Sequence, residues 1–160
     1  MKLTLTTINV KTHTSENNYS YTAKLSINKK NVGSLSGDNQ GAFTFSGDIK
    51  EYERANYWLG ALPPNTLHKG KCNEDIKSFC LHEVRFHLAK KEYIAKTKKK
   101  ILSRKIGTSA IVETIYKGGG VIEDKHLYQF RRDNPYDMIL NILPVDRAVE
   151  YYMIIYTHEN

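Results

Sequence analysis

The stretch Tyr19–Ile27, YSYTAKLSI, alternates apolar residues with polar ones. A period of two predicts a β-strand with one buried face, here carrying Tyr19, Tyr21, Ala23, Leu25 and Ile27. The preceding residues 2–11 (KLTLTTINVK) partly alternate as well. Their phase changes between Leu5 and Ile8, which predicts a bulge or a slight bend in that strand.

Turn-forming residues follow the central strand. Asn28–Asn31 (NKKN) predicts a turn, and short strands are expected at Val32–Leu35 and Ala42–Phe45. Residues 1–46 are therefore predicted to form an antiparallel β-meander.

Two helices are predicted next. Asp48 is a suitable N-cap for a helix over about 49–60, which the Pro63–Pro64 pair ends. A longer helix is expected from Glu74 to Lys98, because apolar residues recur there with helical period at Ile76, Phe79, Cys80, Val84, Leu88 and Ala95.

The remaining chain predicts a β-hairpin around Gly107-Thr108, a helix over about 123–132, a strand over 138–143 and a last helix beginning near Pro144. The predicted architecture is a single α+β domain over residues 1–160 with one core. Its parts are a β-meander (1–46), two central helices (48–98), a second β-hairpin (99–116) and a C-terminal portion of helices and a short strand (121–160).

The composition is that of a globular protein, with 40% apolar and 26% charged residues among 160. The first residues lack the apolar run of a signal peptide, and no apolar run is long enough to cross a bilayer. We therefore expect a cytoplasmic protein with Cys72 and Cys80 reduced and no membrane partner.

The segment Ala23–Gly33 (AKLSINKKNVG), followed by Gly37 and Gly41, resembles the opening of small uncharacterised proteins of bacteriophages and mobile elements. In that family a strand, a "gkkvG" turn and a glycine-bearing strand come first. Lys90–Leu102 (KKEYIAKTKKKIL) is similar to the lysine-rich block that follows in the family. Over residues 3–116 the resemblance implies a phage accessory protein of the anti-defence, anti-CRISPR-like kind. If phage-encoded, it would act in the host cytoplasm.

This resemblance brings no catalytic residue and no settled biochemical function. Some members carry a histidine in the glycine-rich turn after the first hairpin. The corresponding residues here, Gly37–Gly41 (GDNQG), lack it, so no role tied to that turn is carried over.

Positive charge is concentrated between Arg85 and Lys105, where nine of the 24 basic residues occur with Glu92 as the one acid. The candidate binding residues are Lys90, Lys91, Lys96, Lys98, Lys99, Lys100, Arg104 and Lys105. If the helix continued far enough, Lys96, Lys99 and Lys100 would share one side of it.

Such a surface suits an acidic face of a host protein or nucleoprotein complex, a groove that normally holds nucleic acid, or phosphates directly. The alternative function is therefore a nucleic-acid-binding accessory protein that uses Lys96–Lys105. A solvated face that keeps the protein soluble also fits the pattern. Lysine outnumbers arginine, and only Phe86 and Tyr93 lie near for base stacking, which disfavours sequence-specific reading.

Tyrosines crowd the C-terminal region. Tyr151, Tyr152 and Tyr156 form a candidate protein-contact face, which would also permit homo-oligomers, because tyrosine offers large contact area at low entropic cost. The commoner role of such residues is at the rim of a core.

Metal and catalytic patterns are weak. Four possible zinc ligands lie within 15 residues: His68, Cys72, Cys80 and His82. They lack the tight paired spacing of structural zinc sites. Glu83 and His87 are one helical turn apart, as solvated pairs often are. We therefore expect that the protein is not an enzyme and binds no cofactor. The predicted function is to bind and inhibit a host defence component.

Overall fold

The computed structural model describes residues 1–13, 18–63, 75–108, 110–115 and 120–156, with side chains up to Met153. It is an α+β structure, as predicted. The chain divides into two compact units, residues 1–85 and 86–160. The expectation that all elements share a single domain and one core stays a prediction.

The first unit opens with a four-stranded antiparallel sheet in the order β1-β2-β3-β4. The strands are β1 (Leu3–Thr12), β2 (Tyr19–Ile27), β3 (Lys30–Asp38) and β4 (Phe43–Gly47). This order confirms the predicted meander. Its third strand is longer than predicted, because only Asn28 and Lys29 form the turn, both with positive φ (48° and 72°), as a two-residue hairpin turn requires.

The phase change in the first strand is a β-bulge. The register between β1 and β2 shifts between Thr6 and Asn9, and Thr7 has a φ of 51°. The bulge allows Leu5 and Val10 to lie on the same face, opposite Leu25 and Tyr21, respectively.

One face of this sheet is apolar and packs on a helix. Tyr21, Ala23, Leu25 and Ile27 are all buried. Helix α1 (Ile49–Gly60) begins at Asp48, whose carboxylate accepts a hydrogen bond from Glu51 N at 3.2 Å, as predicted. The Tyr52 ring of α1 stacks on Phe45 of β4, with ring centres 4.6 Å apart.

Helix α2 (Ile76–Thr97) starts in the first unit and ends in the second. Its Asp75 cap accepts a hydrogen bond from Ser78 N at 2.7 Å. The predicted apolar face is correct through Val84. Beyond it the buried positions are Ala89 and Tyr93, whereas Leu88 is half-buried and Ala95 exposed.

The second unit contains a three-stranded antiparallel sheet in the order β6-β5-β7. The predicted hairpin is β5 (Lys100–Arg104) with β6 (Ile111–Ile115), and β7 is only Met138–Ile139. Helix α3 (Asp124–Asp133) precedes β7, and helix α4 (Val145–Tyr156) ends the described chain. The core holds Ala89, Tyr93, Leu102, Leu140, Ala148, Val149, Tyr152 and Met153.

The predicted strand over 138–143 is too long. After β7 the chain turns as a short 3-10 helix, Leu140–Ile142. The side chain of Asn141 makes hydrogen bonds to the β5 backbone that a longer β7 would otherwise have made. Its Oδ1 accepts from Leu102 N at 2.8 Å and its Nδ2 donates to Lys100 O at 3.0 Å, so these backbone groups of β5 stay hydrogen-bonded.

Candidate anionic-partner site

The basic segment spans the last turns of α2, a tight turn and strand β5. Helix α2 ends at Thr97, and Lys99 N donates to Lys96 O at 3.0 Å as the chain turns into β5. Lys100 therefore lies on a strand, and the helix does not continue far enough for Lys96, Lys99 and Lys100 to share one of its sides. Cations at this position are also favoured by the partial negative charge of the helix C-terminus.

Three of the predicted binding lysines are in ion pairs. Lys90 Nζ lies 2.6 Å from Asp146 Oδ1 on α4. Lys100 pairs with Glu113 on β6. Lys96 lies between two carboxylates, 2.8 Å from Glu92 and 2.6 Å from Glu113. These three lysines are half-buried. Shielded carboxylates offset the charge of Lys96 and Lys100, whereas the Lys90 pair is open to water through Asp146.

Lys96 is the centre of a network that connects α2, β6 and α4. Burial disfavours its charged form, but hydrogen bonds to Glu113, Glu92 and Tyr152 outweigh that effect and raise the Lys96 pKa above its usual range. The Tyr152 hydroxyl donates to Glu92 Oε1 at 2.7 Å, and its ring lies 5.5 Å from Lys96 Nζ. Hydrogen bonds from Lys100 and Lys96 lower the Glu113 pKa.

The other predicted cations are not paired with a carboxylate of the described residues. Lys91, Lys98, Lys99 and Lys105 are exposed. Arg104 is half-buried: its Nε donates to Thr108 O at 2.7 Å, and its guanidinium lies 5.8 Å from the Tyr151 ring. The binding site that remains is centred on the exposed Lys98-Lys99 pair in the α2–β5 turn.

The tyrosine face is largely internal. Tyr152 is 4% exposed and packs in the core, edge-on to Tyr93 with ring centres 6.2 Å apart. Tyr151 is half-buried against the same core. These two rings therefore do not form the exposed contact face that the sequence suggested. The side chain of Tyr156 lies outside the described residues.

No metal site is found within the described ranges, where no three His, Cys, Asp or Glu side chains converge. His68 and Cys72 lie outside them. Cys80 is fully buried, and burial raises its pKa, so its thiol stays protonated. Cys80 is therefore an ordinary core residue of the first unit.

His87 is a half-buried residue of α2. Its Nε2 is buried and lacks a hydrogen-bond partner among the described residues. Burial, with the nearby charges of Lys91 and Lys90, lowers the His87 pKa. Both effects favour the neutral imidazole.

Another surface feature is a groove of about 520 Å³ on the polar face of the meander. Its walls include the small hydroxyl and amide side chains of Asn9, Ser20, Thr22, Ser36 and Thr44. It combines Lys11 with Asp38, so it does not select ligands of one charge.

The residues that the sequence analysis missed are the acids Glu113 and Asp146. Glu92 was noted as the one acid of the basic segment, but its pairing with Lys96 was not. Their i, i+4 spacing on a helix does predict that ion pair. Hairpin register places Glu113 opposite Leu102, beside Lys100. Asp146 carries no local pattern, because 56 residues separate it from Lys90.

Comparisons with protein-family models, curated proteins and solved structures give no match for this chain. Among the described residues, no helix has both the length and the apolar character needed to cross a membrane.

Proposed function

We propose that this protein is a non-enzymatic accessory protein of a phage or mobile element that binds and inhibits a component of host defence. It docks on an acidic surface through exposed cations centred on Lys98 and Lys99. The observation that carries the binding site is the division of the basic segment into neutralised lysines and exposed ones. The resemblance over residues 3–116 supports the biological role.

The geometry favours an acidic protein surface over nucleic acid. Glu92 and Glu113 neutralise Lys96 and Lys100, which leaves few free cations to follow a continuous phosphate backbone. Tyr93 and Tyr152 are buried and Phe86 is half-buried, so these rings are not free to stack on bases. Exposed lysines can still pair with carboxylates at the rim of a protein interface.

The test is affinity capture from a bacterial host lysate, with and without nuclease, using the parent and two variants. Lys98→Glu/Lys99→Glu reverses the central pair. Lys29→Glu/Lys30→Glu is a matched control, because it also reverses two consecutive exposed lysines at a turn. We expect nuclease-resistant capture that Lys98→Glu/Lys99→Glu weakens about tenfold or more, while the control variant behaves as the parent.

Inhibition is measured in parallel as phage plating efficiency on a strain with an active defence system. Expression of the parent should restore plating, and Lys98→Glu/Lys99→Glu should not. A nucleic-acid-binding protein would instead show capture that nuclease abolishes. Its log binding constant would also fall with log salt concentration, with a slope of about −0.9 per phosphate contacted. Equal capture by both variants would move the site away from the α2–β5 turn.

A further inference from the structure

Strand β6 lies at the edge of its sheet. It pairs with β5 on one side, and within the described part of the chain no strand pairs with its other side. Its sequence, IVETI, is rich in β-branched residues, which favour strands. An edge of this composition is a template for pairing with another strand.

The sequence of β6 is nearly symmetric about its centre. Ile111 and Ile115 flank Glu113 at equal distance, and the β-branched residues Val112 and Thr114 lie between them. Antiparallel pairing of β6 with a second copy about Glu113 places each Ile111 opposite Ile115 of the other copy. Two identical strands paired in this way are related by a two-fold axis.

This pairing covers apolar surface that the single chain leaves open. Ile111 is half-buried and packs against the core of the second unit. Ile115 is 67% exposed. In the two-fold arrangement, Ile115 of one copy lies over Ile111 of the other and extends its core, which is the cross-strand contact that stabilises antiparallel pairs.

The charge that would normally protect this edge is already neutralised. Edge strands often avoid association through exposed charges, and Glu113 is the single charged residue of β6. Its carboxylate is bound by Lys96 and Lys100 of its own chain. Two opposed Glu113 residues therefore repel each other less than free carboxylates would.

We infer that the protein forms a two-fold symmetric homodimer through β6, with a continuous six-stranded sheet in the order β7-β5-β6-β6-β5-β7. Five paired residues per chain form a contact below the standard interface size of about 1,600 Å². The dimer is therefore expected to be weak and to depend on concentration, with a Kd between about 1 μM and about 1 mM. This inference does not depend on the proposed inhibitory function.

The test is sedimentation velocity over a concentration series with the parent and two lysine substitutions. Ile115→Lys places a charge opposite Ile111 of the second copy and should raise the Kd about tenfold or more. Val121→Lys changes an equally exposed apolar residue (70%) outside β6 and should leave the Kd unchanged. A parent that stays monomeric up to about millimolar concentration, or equal effects of the two substitutions, would overturn the inference.

Oxidative cross-linking tests the register. Opposed residues on antiparallel strands have Cα atoms about 4.5–5.5 Å apart, within disulfide range. Glu113→Cys should therefore give a covalent dimer. Val112→Cys should not, because its nearest symmetry mate lies on a diagonal of about 7–8 Å. The parent sets the background from Cys72 and Cys80, and cross-linking through position 112 in place of 113 would contradict the arrangement.

Discussion

Gly33 and Gly47 lie opposite each other on neighbouring strands of the meander. A Cβ atom on Gly33 would approach the Phe45 ring and the Ser46 carbonyl oxygen to 2.6 Å. Gly47 is still more confined, because a Cβ atom there would overlap the backbone oxygen of Val32. These glycines allow the Phe45 ring to lie close to the strand and stack on Tyr52 of α1.

We expect Gly33→Ala to destabilise the protein by about 1–3 kcal/mol, because the added methyl overpacks this contact. Gly60→Ala is the matched control. It adds the same methyl at the end of α1, where nothing lies within 4 Å, and should be neutral or stabilising by less than about 1 kcal/mol. Urea unfolding of both variants measures the difference, and equal losses would contradict this account of Gly33.

The lowered pKa of His87 should make the free energy of unfolding depend on pH. Because its folded pKa is lowered, the unfolded chain binds more protons below its ordinary pKa of about 6.5. Stability should therefore be unaffected by His87 above that value, and should fall as the pH drops from it toward the folded pKa. Urea midpoints at several pH values should show a smaller acid loss in His87→Gln than in the parent. An unchanged difference between neutral and acid pH would rule out this role.

At the scale of elements, ion pairs join helix α2 to the strands and to α4. The Lys96 side chain is 29% exposed and pairs with carboxylates on its own helix and on β6. Lys90 pairs with Asp146, whose side chain is 71% exposed. The two lysines are on the same helix, so they allow a comparison of a shielded pair with a solvated one.

Lys96→Met should destabilise the protein by about 1–2 kcal/mol, because it leaves Glu113 and Glu92 without their shared cation. Lys90→Met should cost less than about 1 kcal/mol, since water screens its pair. Chemical denaturation of the two variants at low and high salt measures both effects. If Lys90→Met lowered the free energy of unfolding as much as Lys96→Met, shielding from water would not explain a difference between the two ion pairs.

At the scale of the whole molecule, the fold protects the thiol of Cys80. Its side chain is fully buried, and burial raises its pKa, so native Cys80 should not react with thiol reagents. In a Cys72→Ser variant, labelling of Cys80 should follow unfolding of the first unit. Its rate should rise with urea in parallel with the loss of circular dichroism. Fast labelling of the native protein would contradict the buried position.

Much of the architecture could be predicted, because local patterns report local structure. The alternation in β2, the phase change before Ile8 and the cap at Asp48 each have a physical cause within a few residues, and all three are confirmed. Strand β7 was predicted too long because the Asn141 side chain takes over its hydrogen bonds to β5. That substitution leaves no periodic pattern.

The candidate site was less predictable than the fold. The sequence identifies its eight cations, but it does not show which of them are paired with carboxylates and which are exposed. Tyr152 was assigned to an exposed face because its position on the final helix does not show which side meets the core. Burial of that ring depends on Tyr93 and Leu140, which belong to other elements.

By itself, the sequence determined the α+β class, the meander, the helix starts, the hairpin and the excess of positive charge, because these depend on periodicity, capping and composition. The tertiary structure alone decided which lysines remain available to a partner. Lys96 meets Glu113 across 17 residues, and Lys90 meets Asp146 across 56. Ion pairs over such separations form only when packing brings the elements together, and they leave Lys98 and Lys99 exposed.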